Sequence, residues 1–231
     1  MKIRHLLLLC FIFNSVLSLS RPLNELEKKK LEFIEDSFRQ GDKRANYWQW
    51  GYFGLYSAGA VFGLGKYIYL KGRENITDDE AIDKQESAVN FVKATLGSFG
   101  LWFRPLVADR ALKELTGLPE DDLKLKRAEE LLESSAKRVR GELSWKRRLA
   151  AFTLNLIGGY AISTGGNSPK RGLINFLIGM TVSEIQIRTV PERPVRDLLE
   201  YQKKFQNKET TVWDNIKVIP SFNSIYVSYS F

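Results

Sequence analysis

Lys93 and Glu184 raise the first chemical question in this chain, because each interrupts a long apolar run. A charge in such surroundings either neutralises or finds a polar partner, so both side chains call for one. They could serve each other, and Asn90, Asn155, Asn175 and Arg104 compete for the same role. The residue types that usually carry catalysis are nearly missing. The only histidine is His5 and the only cysteine is Cys10, both at the extreme N-terminus. Beyond them the chain offers no Ser-His-Asp triad, no Cys-His pair, no disulfide and no zinc site of the usual ligands. A hydrolase built on carboxylates alone would turn to Glu184 or Asp109, but no acidic pair stands in a recognisable frame. The expectation is a protein without catalytic residues, cofactor or metal.

Two other groups of residues suggest contact rather than reaction. In "KRVRGELSWKRR", Lys137, Arg138, Arg140, Lys146, Arg147 and Arg148 surround Trp145 directly before an apolar segment. Cations beside a tryptophan suit anionic lipid headgroups, although a solvated helix face has the same composition. The run from Tyr47 to Gly65 carries no charge and five glycines. Gly59 and Gly63 form a GxxxG pair, and Gly54 with Ala58 a second pair of small residues, so neighbouring backbones can approach closely there.

The elements that position these residues follow from periodicity. Leu26, Leu31, Phe33, Ile34 and Phe38 space an amphipathic helix over residues 22–40, which Gly41-Asp42 should end. Four apolar helices come next, at 46–70, 88–103, 149–163 and 172–187, and Thr77-Asp78-Asp79 in the polar linker before the second reads as a helix start. Between the second and third lie a short helix closed by Gly117 and a charged helix from about Glu120 to Arg140. That charged helix carries the stripe Leu125, Ala128, Leu131, Leu132 and Val139. A last amphipathic helix, "VRDLLEYQKKF", follows Pro191 and Pro194. The fold class is all-α: a glycine-rich helical bundle of two apolar hairpins with amphipathic helices added.

"VNFV" at 89–92 and "INFL" at 174–177 share an Asn-Phe core, each followed by small residues, a proline and a charged helix. Residues 46–118 and 145–205 therefore read as diverged repeats related by a pseudo-two-fold axis. The tail, 209–231, alternates Ile225, Val227, Tyr229 and Phe231 with polar positions, which predicts a β-hairpin from near Val212 with its turn at "SFNS". Its last seven residues resemble the closing strand of bacterial outer-membrane barrels. One hairpin cannot close a barrel, which takes about eight strands, so a small ribbon beside the helical body (21–208) is expected instead.

The first twenty residues have a basic start, an apolar centre and small residues before a cut after Ser20 or Ser18, the pattern of a secretory signal peptide. Its removal takes Lys2 and Arg4 and no acid, which lowers the formal charge from +8 to +6. An exported basic chain meets anionic lipid or acidic envelope partners rather than nucleic acid.

Membrane crossing is the harder question. Tyr47–Gly65 would be about 29 Å long as a helix, close to the hydrocarbon thickness of about 30 Å, with tyrosines and tryptophans at its ends. Against crossing stand Lys93, Glu184 and the shortness of the third apolar segment. With an exported N-terminus, the twelve Lys/Arg between Arg104 and Arg148 would also fall on the wrong side for the positive-inside rule. The sequence thus points to a membrane-associated protein of the bacterial periplasm or cell envelope, attached to a membrane or partly inserted. A structural or interaction role leads, with membrane lipid, an envelope protein or a second copy of the chain as partner. A carrier for a lipid or other hydrophobic ligand is the first alternative, and a carboxylate-based hydrolase the second.

Overall fold

A computed structural model describes residues 20–207 and the tail segments 216–221 and 224–229. The expected leader up to residue 19, Val212 and Phe231 lie outside the described residues.

The chain opens with α1, Glu25–Lys71, a helix of 47 residues and therefore about 70 Å long. Asn24 and Glu27 start it with a reciprocal capping box, each side chain bonded to the other's backbone N–H at 2.9 Å. Gly41-Asp42 does not end this helix, contrary to the expectation from sequence. Gly41 keeps a negative φ, as a residue of the helix interior does, so its backbone does not turn the chain out of the helix. Gly41 instead lies in mid-helix against Arg193, and Asp42 accepts from Asn46 one turn on at 2.9 Å. A single rod therefore runs through both the amphipathic and the uncharged stretch.

The next helix, α2 (Asp78–Phe103), starts where the sequence indicated, with Thr77 and Glu80 forming a second capping box. The connecting elements follow: α3 (Ala108–Thr116), closed at Gly117, and α4 (Asp122–Leu143), capped by the Asp121 side chain. Then come α5 (Trp145–Gly165), α6 (Pro169–Arg188) and α7 (Arg193–Phe205). Asn167, with φ 49°, makes the tight turn between α5 and α6, and Pro169 sits in the first turn of α6, where its missing N–H costs nothing. In the tail, β1 (Ile216–Ser221) pairs antiparallel with β2 (Ser224–Tyr229), Ser221 standing opposite Ser224.

The helical body has two parts that share α1. Its N-terminal half packs with α3, α4 and α7 around an apolar core that includes Ile34, Phe38, Ala111, Leu115, Leu132 and Tyr201. The whole apolar stripe of α4 faces this core. Buried polar groups here are matched. Asp197 accepts from Ser37 at 2.5 Å and from Arg193 at 3.0 Å, and Lys124 pairs with Glu35 at 2.8 Å. Tyr201 donates to Glu129, and burial, reinforced by that carboxylate, raises its hydroxyl above the ordinary range.

In the second part, the C-terminal half of α1 packs along α2, α5 packs along α6, and α2 against α5 joins the two hairpins. Glycine sets the closeness. A Cβ on Gly63 would lie 3.0 Å from the Phe91 nitrogen and the Ser87 carbonyl, and one on Gly159 would lie 2.7 Å from the Gly172 carbonyl. No helix among the described residues is long and apolar enough to cross a membrane.

Candidate functional site

Each hairpin helix turns a seam of small and polar residues toward the others, at spacings of three or four. On α2 the seam is Asp83, Glu86, Asn90, Lys93 and Gly97; on α6 it is Gly172, Asn175, Gly179, Ser183 and Gln186. From α1 come Gly59, Gly63 and Lys66, and from α5 Ala151, Asn155 and Gly158. Such spacing keeps residues on one face of a helix. Between the seams lies a cleft of about 640 Å³.

The cleft has an end closed by ion pairs and a middle in which Lys93 stands among amides. At the end near the α1–α2 loop, Asp83 takes Lys66 at 2.8 Å and also Arg171, which stands 4.0 Å from Glu86. In the middle, Lys93 Nζ donates to Asn175 Oδ1 at 2.9 Å. The Asn175 amide in turn donates to Asn90 at 2.8 Å and Glu86 at 3.4 Å. Among the described residues no carboxylate oxygen lies within 4.0 Å of Lys93, so its salt-bridge partner is missing. Beside it, Asn155 is 3% exposed. Its amide donates to the Ala151 carbonyl at 2.9 Å and Ser183 Oγ at 3.4 Å, while its Oδ1 is buried without a partner. At the far end Tyr56 donates to Gln186 Oε1 at 2.9 Å, and Gln186 Nε2 is likewise unpartnered.

Lys93 and Glu184 do not meet. Glu184 takes Arg188 at 2.7 Å and Arg148 at 3.3 Å, while Lys93 turns to Asn175, one of the competitors considered from sequence. The glycine pairs also divide. Gly63 is buried and backbone-close, whereas Gly59 would give a Cβ an ordinary 3.6 Å contact with Ala94. Gly54 and Ala58 do not pack against a neighbouring helix as expected: both are exposed, and nothing lies within 4 Å of a Cβ on Gly54. They fall on the outward side of α1, off the seam.

The basic stretch splits as well. Arg138 is held by Glu142 and the Arg104 carbonyl, Arg147 by Glu142 at 3.2 Å and Arg148 by Glu184. These three are partly buried and each lies within 4.0 Å of a carboxylate of the fold, so their charge is partly answered within the protein. Lys137, Arg140, Trp145 and Lys146 remain exposed. The sequence reading missed Gly158, Gly159, Gly172, Gly179 and Gln186, although their seam spacing was readable.

Outside the seam, the hairpin helices are apolar and exposed. Phe62 is 73% exposed, Ile178 60% and Ile157 61%, and among the described residues only Leu26 and Leu123 of the exposed large hydrophobic side chains belong to the other part of the body. Trp50 and Trp102 stack edge to face at the end nearest that part, with Tyr47 and Phe103 close by in sequence and Trp145 at the start of α5, while Tyr69 stands at the other end of α1. Comparison of the chain with protein-family models, curated proteins and solved structures finds no match.

Proposed function

We propose that this protein is a membrane-associated component of a cell envelope, its hairpin bundle seated in lipid through its lateral apolar surface. Its work is structural or adhesive rather than catalytic. One observation carries the reading: the hairpin bundle has polar groups inside and large apolar side chains outside, the reverse of the domain that shares α1 with it. Leaving a large apolar side chain in water forfeits about 1.5–3 kcal/mol that burial would return, and a belt of them needs a partner phase. The tryptophans gathered at one end of the belt fit the headgroup level of a lipid layer into which the bundle is partly inserted. Exposed Lys137, Arg140, Trp145 and Lys146 add a basic rim that favours anionic lipid. The signal-peptide pattern of residues 1–20 places the protein on the export route.

Fractionation followed by an alkaline carbonate wash and vesicle flotation tests this. The full chain should stay in the pellet and float with vesicles containing phosphatidylglycerol. Recovery in the supernatant as a discrete oligomer would instead assign the belt to contacts between copies, and sink the lipid reading.

A further inference from the structure

Resting on the lipid-seated reading, we propose that the cleft between the two hairpins binds one anionic glycerophospholipid, its phosphate at Lys93 and a headgroup hydroxyl at Asn155. Three independent features meet there. The first is charge. Asp83 is taken by Lys66 and Arg171, and Arg171 also faces Glu86, which leaves Lys93 bonded to an amide oxygen, with Glu86 acting on it only from beyond ion-pair distance. A phosphate beside its ammonium would supply the missing charge-assisted bond.

The second feature is an orphan. Asn155 Oδ1 is buried and accepts nothing, which costs about 1–3 kcal/mol unless a donor arrives. It lies next to Lys93: a Cβ on Gly179 would clash with both Asn155 Oδ1 and, at 2.8 Å, Lys93 Nζ. A bare phosphate would set its own oxygens against that acceptor. A head that joins a phosphate to a free hydroxyl satisfies the lysine and the asparagine together.

The third feature is access. Phe62, Leu96 and Ile178 line the cleft and are also exposed on the apolar belt, so the cavity is continuous with the surface that faces lipid. At about 640 Å³ it falls within the range of roughly 300–1,000 Å³ typical of small-molecule sites. A soluble phosphate compound would gain nothing from this apolar rim.

The test uses the full chain in a neutral detergent and native mass spectrometry. The probes are dimyristoyl phosphatidylglycerol, phosphatidic acid and phosphatidylcholine, with glycerol 3-phosphate as the tail-free control. Phosphatidylglycerol should form a one-to-one adduct, with phosphatidic acid weaker and phosphatidylcholine at least tenfold weaker. Lys93→Met should lower phosphatidylglycerol binding at least tenfold, whereas Lys93→Arg should keep most of it. Asn155→Leu should remove the preference for phosphatidylglycerol over phosphatidic acid. Circular-dichroism melts show which variants are folded; if Lys93→Met is not, the ranking of lipids on wild-type protein decides.

Equal binding of phosphatidylglycerol and phosphatidylcholine overturns the proposal. So does a folded Lys93→Met that binds like wild type, or glycerol 3-phosphate binding as tightly as the lipid. Lys93→Met should still resist carbonate extraction. Loss of wild-type protein from the pellet would therefore count against the lipid-seated reading, while the adduct in detergent is scored separately.

Discussion

The two halves of α1 belong to opposite kinds of interior. Around its N-terminal half, Ile34, Leu132 and Tyr201 fill a dry core and the charges lie outside, apart from matched pairs such as Asp197 with Arg193. Around its C-terminal half, Lys93, Asn155, Asn175 and Gln186 lie inside, and Phe62, Leu156, Leu177 and Ile178 lie outside. One helix cannot change its rules midway, but its surroundings can. In water, association is driven by apolar burial, whereas helices in an apolar phase associate through small-residue packing and interior hydrogen bonds. On the lipid-seated reading proposed above, the contrast separates the solvent of each half.

Paired deletions of similar chemistry give the sharpest attack on that contrast. Leu132→Ala, in the charged-surface domain, should destabilise by about 2–5 kcal/mol by leaving a cavity in a packed core. Phe62→Ala, on the hairpin exterior, should change the melting of detergent-solubilised protein by less than about 0.5 kcal/mol. Similar losses at both positions, measured by thermal melts, would mean that Phe62 faces a protein core and that the inversion is false.

Close packing comes next in size. Gly159→Val should cost about 3 kcal/mol, at the upper end of overpacking effects, because its side chain meets the Gly172 carbonyl and Phe176. Wild-type melting of this variant would show that α5 and α6 do not approach through glycine. A smaller loss, about 1–3 kcal/mol, is expected for Asp197→Ala, which strands Ser37 and the partly exposed Arg193. Urea denaturation is the measurement. A loss near zero would make this buried carboxylate dispensable and weaken the claim that the domain's interior tolerates only matched charge. The smallest effect has the opposite sign. Gly54→Ala should stabilise by up to about 1 kcal/mol, since nothing lies within 4 Å of the new methyl and alanine favours the helix. A destabilised Gly54→Ala would reveal a neighbour on that face.

Much of the charged-surface domain was legible residue by residue. The α4 stripe and the stop at Gly117 appear where periodicity and capping chemistry placed them, as does the Thr77 cap in the hairpins, because these signals are local. Gly41 misled for the same reason. As a local signal it reads as a stop, yet contact with Arg193 of α7, far away in sequence, shows it as a close-packed helical residue. In the hairpins the four apolar segments were plain, but their inward faces were not. A helix apolar nearly all round has little moment to distinguish its sides, so the GxxxG pair drew attention and the longer seam did not.

By itself, the sequence determined an all-α body, the position of its apolar segments and the absence of histidine and cysteine beyond the first ten residues. Those follow from composition and from 3.6-residue periodicity, which need no knowledge of neighbours. Only tertiary structure decided that Lys93 meets Asn175 rather than Glu184, that Arg148 rather than Lys93 answers Glu184, and that Asn155 Oδ1 is left over. Side-chain pairing between helices depends on which faces meet and at what depth. Backbone approach at Gly63, Gly159 and Gly172 sets that depth, through contacts between residues that the sequence does not list side by side.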